Sequence, residues 1–187
     1  MLGRWYEKLF RPLLFVCGLC MVLSFGPSVA ASPFGQGVFG ADVPFGSLTS
    51  LTIALGGDVS LNLAPNGSVF EGNGSHTITV TSTDVVGYDL YIYGASGTNM
   101  TNGSDTIAAS GNSSPSTLAT NSWGYNISGS TSNFKGLTAT PVLLKTATGP
   151  YKNGDDTTVT YGVVTDITKT EGAYTVSVTY TAVALNY

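Results

Sequence analysis

Few side chains in this sequence are of a type and spacing that could do chemistry. His76 is the single histidine of the 187-residue chain. A Ser-His-Asp hydrolase would have to use it, but its register with Ile78 and Val80 reads as a strand-end histidine. A zinc site needs several His or Cys ligands. The two cysteines, Cys17 and Cys20, form a C-x-x-C inside an apolar N-terminal run, where they read as small apolar residues. A carboxylate pair could hydrolyse glycosides. The candidates are Asp84, Asp89, Asp105, Asp155, Asp156, Asp166 and Glu171, mostly in turn-like stretches where Asp bonds nearby backbone. Asp155-Asp156 lacks the D-x-D-x-D-G spacing of a calcium loop. The residues thus point to no catalytic, cofactor or metal constellation.

The aromatic residues are the other candidates. Trp123-x-Tyr125-x-Ile127 reads as a core strand with the indole N–H satisfied nearby. Tyr91 and Tyr93 alternate with Leu90 and Ile92, so they fall on the opposite, wetter face. They are the candidate ligand-facing aromatics, able to stack on sugars. Six N-x-S/T triplets begin at Asn66, Asn73, Asn99, Asn102, Asn112 and Asn126. They matter only in a host that glycosylates such sites.

Strands must position these residues. In Gly172 to Ala184, Tyr174, Val176, Val178, Tyr180, Ala182 and Ala184 share one face and threonines and Ser177 the other, which predicts one long strand. Leu51, Ile53 and Leu55, then Val59, Leu61 and Leu63, alternate around Gly56-Gly57, which predicts a hairpin. Pro65-Asn66-Gly67 and Gly72-Asn73-Gly74 read as turns. Further strands are predicted around His76–Val80, Tyr88–Ile92, Asp105–Ala109, Trp123–Ile127, Val142–Leu144 and Val159–Val163. The stretch 94–121 reads otherwise as an exposed loop region. About eight short strands with turn signals between them predict an all-β sandwich or barrel. A parallel α/β fold would need crossover helices for which there is no room.

The N-terminal segment has the layout of a secretory signal. A basic start leads into the apolar run Leu13–Phe25 and then to Ser28-Val29-Ala30, which predicts cleavage after Ala30. The run is shorter than the roughly 20 residues a spanning helix needs, so no membrane span is expected in the mature chain. Residues 31–46 read as a Phe/Gly/Pro lead-in, and 47–187 as the β domain. After residue 30 there are four lysines, no arginine and ten acids, a formal net charge of −6. That balance disfavours nucleic acid, whose phosphates need cations. Only 10% of all residues are charged, against about 25% in an ordinary soluble domain. The mature chain has no cysteine, so stability must come from the core and the sheets.

VTYGVVTDITKTEGAYTVSVTYTA resembles the closing strands of bacterial pilin-type and spore-coat-U-type proteins. GGDVSLNL, HTITVTST followed by GYDLYIY, and NSWGYNISG extend a resemblance to secreted bacterial surface proteins over most of residues 48 to 185. The resemblance implies an antiparallel immunoglobulin-like β-sandwich and a cell-surface or appendage role, without the disulfide of many pilins. The expectation is a secreted, non-catalytic structural or adhesion protein, a subunit of a larger assembly. The alternatives are an extracellular carbohydrate-binding module and a secreted hydrolase with an unrecognised carboxylate pair. Expected partners are the protein itself, other cell-surface proteins or glycans, with no cofactor. An uncovered last strand would invite strand addition. Phe34, Val38, Phe39 and Phe45 mark the candidate donor segment.

Overall fold

One 15-residue strand organises the larger of two sheets. In a computed structural model, residues 49–185 are described, within the unit Ser47–Tyr187. The expected signal segment, its cleavage after Ala30 and the donor residues Phe34, Val38, Phe39 and Phe45 lie outside the described residues. Strand β3 (Val69–Thr83) carries Gly72, Gly74, His76, Ile78, Val80 and Ser82 on its inner face, by its period of two. Ile78, Val80 and Ser82 are fully buried.

Along one edge of β3 run β1 (Ser50–Leu55) and the short β2 (Ala64–Asn66), and along the other runs β9 (Asp155–Thr165), all antiparallel to it. Beyond β9 come β7 (Ser122–Asn126), β6 (Asp105–Ala109) and β5 (Met100–Asn102). The β6–β7 pairing is parallel, Ala108 opposite Ser122. The second sheet holds β10 (Thr179–Leu185), β4 (Gly87–Tyr93) and β8 (Val142–Thr148), with β4 in the middle. Alternation on β4 sends Tyr88, Leu90 and Ile92 inward, where all three are fully buried. They meet Ile78, Val80, Val159, Val163 and Trp123 from the larger sheet in one core.

The result is an all-β structure of two sheets, curled into a partly closed form. Among the described residues ten strands stand where about eight were expected, because β2 and β5, three residues each, are too short to show alternation. Among the described residues no helix is long and apolar enough to cross a membrane.

Three expectations fail for one shared reason. The segment 58–63 does not pair with β1; instead β1 pairs β3 from Ser50↔Thr83 to Leu55↔Ile78. Gly72-Asn73-Gly74 is no turn but lies within β3. There the missing side chains let 58–63 pass across the strand's inner face. A Cβ on Gly72 would lie 2.7 Å from the Asn62 carbonyl oxygen, and one on Gly74 2.9 Å from Val59 Cγ1. The two glycines therefore serve close approach rather than chain reversal. His76, expected at a strand end, is the middle residue of β3 and points inward beside these glycines. Separately, Ile127 falls just past β7 and is 47% exposed, not in core register.

The predicted long strand also divides. Only Thr179–Leu185 pairs with β4, because β4 ends at Tyr93 opposite Thr179. Residues 173–178 keep the extended alternation, with Tyr174, Val176 and Val178 half-buried and their neighbours exposed.

Candidate functional site: an open seam between the two sheets

Among the described residues β1 and β10 lie near each other without pairing, and the chain beyond Leu55 and the chain before Thr179 form the two sides of a seam. One wall is the segment 57–63; the other is 172–178. Among the described residues, 57–63 makes no backbone–backbone hydrogen bond, and 172–178 makes them only through Thr175, with Thr101 (2.9 and 3.0 Å). Between the walls is a cavity of about 700 Å³, floored by Met100, Ile107, Trp123, Tyr161 and Val163. Val59 and Leu61 from one wall and Val176 and Val178 from the other pack on the core only partly buried. The inward residues of β1 continue this exposure: Ile53 is 38% and Leu55 54% exposed, although their partners Val80 and Ile78 are fully buried.

The floor is well held. Trp123 is fully buried and its indole N–H donates to the Thr98 carbonyl at 3.0 Å. Its ring lies 6.3 Å from that of Tyr161. At the closed end His76 Nδ1 bonds the Gly57 carbonyl at 2.9 Å and Nε2 meets the Tyr180 hydroxyl at 3.0 Å. Tyr180 in turn is hydrogen-bonded to the Tyr161 hydroxyl. Burial pushes the Tyr161 hydroxyl up to about 12, and burial with the neighbouring tyrosine pushes Tyr180 above the usual tyrosine range. Both remain protonated at ordinary pH. His76 thus sits in a neutral aromatic run, with Tyr161 and Tyr180 as its ring partners.

The acidic candidates are dispersed and held by local bonds. Asp105 accepts from the Tyr174 hydroxyl (2.6 Å), the Thr170 amide (3.0 Å) and Lys169 (3.1 Å), which together hold its carboxyl well below the usual range. This cluster, with Asn102 bonding the Glu171 carbonyl, ties the start of the second wall to the β5–β6 hairpin. Asp155 accepts from Lys145 (2.8 Å) and from Tyr88 (2.6 Å). Burial raises its pKa, but these two partners outweigh burial and leave it lowered. Asp166 is held by Thr168 and Asn121, and Asp156 by Thr79. Among the described residues no group of three or more His, Cys, Asp or Glu side chains is placed to hold a metal ion.

Tyr91 and Tyr93 lie on the outer face of β4 and are half-buried. Asp89 shares that face, its carboxylate accepting from Thr146 (2.7 Å) and from Tyr91 (3.4 Å). They face away from the seam, although Tyr93 pairs Thr179, the residue that follows the second wall. Of the N-x-S/T asparagines, Asn112 and Asn126 use their amide N–H groups on backbone carbonyls inside the fold.

Sequence reasoning missed the wall 58–63 and the His76–Tyr180–Tyr161 run. The available signal was glycine at alternate positions, 72 and 74, in line with an inward histidine.

No protein-family model matches the chain. No curated protein matches it. Among solved structures it is similar to a chain of a chaperone–tip adhesin complex described as vital for synergistic activation of CFA/I fimbriae biogenesis. The TM-score is 0.47 at 11% identity, over 72% of this chain and 41% of that one. The chain therefore spans less than half the length of the structure it matches.

Proposed function

We propose that the protein is a secreted, non-catalytic cell-surface subunit, structural or adhesive, whose seam accepts an extended segment from another copy. The observation that carries this reading is a pair of walls that, among the described residues, make almost no backbone hydrogen bonds, over an apolar floor. An inserted strand would satisfy those donors and acceptors and bury the half-exposed apolar residues together. In this reading the fold is an immunoglobulin-like sandwich short of one strand.

The donor proposed is residues 31–46. Extended, Phe39, Ala41, Val43 and Phe45 share one face, with Phe34 and Val38 on the other. Reach limits insertion of Phe45 into the chain's own seam, a limit that a second copy does not have. Ser50 pairs Thr83, seven residues up β3 from His76, or about 24 Å at strand rise. Phe45 precedes Ser50 by five residues, a reach of about 17 Å. The test is to express residues 31–187 and 47–187 separately and measure their mass in solution. Oligomers of the longer form, and an unstable shorter monomer rescued by a peptide of residues 31–46, are expected. Two equally stable monomers at high concentration would sink the proposal.

A second reading, glycan binding by Tyr91 and Tyr93, is favoured by their outward placement beside the Asp89 carboxylate. Under it, Tyr91→Ala with Tyr93→Ala abolishes binding on a glycan array and leaves the mass in solution unchanged.

A further inference from the structure

We infer that the run Gly57–His76–Tyr180–Tyr161 is a spreader, a set of positioning residues that holds the two walls of the seam apart at the separation a strand needs. The inference rests on the strand-acceptor reading above. Its four members come from four different parts of the fold: the first wall, β3, β10 and β9. Among the described residues it is the one side-chain hydrogen-bond path from 57–63 to the chain that carries the opposite wall. Tyr161 is 6% exposed and anchors the path in the core.

The partners fix the protons. A carbonyl only accepts, so His76 Nδ1 carries a proton and donates it to Gly57. In the neutral ring Nε2 then accepts from Tyr180, and the Tyr180 oxygen accepts from Tyr161. Each group has one partner in one direction, which defines a single arrangement. Apolar side chains of the same size would fill this space but would leave the walls free to slide together. Movement of the walls is the expected fate of a cavity of about 700 Å³ whose sides carry few backbone bonds among the described residues.

The experiment compares the exported chain with its Tyr180→Phe and His76→Asn variants. The first keeps the ring and removes the hydroxyl. The second keeps a donor for Gly57 and loses Tyr180. Hydrogen exchange of the bonded amides at the two walls, Gly56 to the Thr77 carbonyl and Thr175 to the Thr101 carbonyl, should rise at least tenfold in both variants, with Ile78 and Leu90 amides unchanged. Nitrogen NMR of the wild type should find the His76 proton on Nδ1, and Tyr180→Phe should shift the Nε2 resonance. Uptake of a labelled peptide of residues 31–46 should weaken at least tenfold in Tyr180→Phe. Exchange that changes at one wall only or at neither, or a neutral ring protonated on Nε2, overturns the spreader. So does equal peptide uptake by wild type and variant, which leaves the acceptor reading intact. If the wild type takes up no peptide while both walls loosen together, the spreader holds and the acceptor reading falls.

Discussion

The two sides of the partly closed β structure join their sheets by different chemistry. On the side of β8, Lys145 reaches across to Asp155 and Tyr88 closes the group from β4, with Thr157 3.3 Å from the ammonium. Side-chain exposures of 28% and 17% leave this ion pair in contact with water while its partners are fixed. On the side of β10 the link has no ion pair among the described residues and runs through His76, Tyr180 and Tyr161 beside a cavity. A charged clamp pulls two sheets together around a filled core. A run of hydrogen-bonded rings borders the open side instead, and in the proposed acceptor role it would add no acidic group to a site that takes apolar side chains. The difference teaches that one core can be bordered by an ion-paired join on one side and an open seam on the other.

The largest expected effect tests whether the seam floor belongs to the same core as the clamped side. Trp123→Ala should cost about 3–5 kcal/mol by denaturant titration. A loss under about 1 kcal/mol would detach the floor from the core and weaken the contrast. Next, Lys145→Ala leaves the Asp155 carboxylate without its cation and should cost about 1.5–3 kcal/mol. A cost no larger than that of an open surface pair would make the clamp an ornament of the surface. On the seam side, Leu55→Ser alters a residue that is 54% exposed, so stability should move by about 0.5 kcal/mol or less, while uptake of the 31–46 peptide drops. A large stability loss would mean that the seam is already closed in solution.

The smallest effect is a pH response. The Asp105 carboxyl is lowered in the folded chain by Tyr174, Thr170 and Lys169. Its contribution is present above the unfolded carboxylate value of about 3.9 and is lost as pH falls below it toward the lower folded value. Hydrogen exchange at 166–175 should therefore be flat, after correction for intrinsic rates, from pH 7 to about 4.5, and rise only in stronger acid. A rise near pH 5 would mean that the bonds to Asp105 are not kept.

Alternation made much of the core legible. Tyr88, Leu90 and Ile92, and Val159, Tyr161 and Val163, were placed correctly because a period of two against a buried face leaves little choice. The inward face of 174–184 was legible for the same reason. Partner choice was not. Gly56-Gly57 carries a hairpin signal, yet pairing with β3 buries more of β1's neighbours, and no local residue encodes that long-range preference. The parallel β6–β7 contact was invisible because the intervening 110–121 segment has neither helix nor alternation. The seam itself arises from two extended segments that fail to pair, and a strand-like pattern does not say whether its hydrogen bonds are made.

The crossing of 58–63 over Gly72 and Gly74 also carries an evolutionary consequence. The gauge of the opening is set by two hydrogen atoms. A single methyl at position 72 would meet the Asn62 carbonyl oxygen at 2.7 Å and shift the whole first wall. One codon change therefore reshapes the aperture, without touching the clamped side or the core between the sheets. Under the proposed acceptor role, chains descended from this one would have a short mutational route to apertures of different width, and so to sorting among rival inserts.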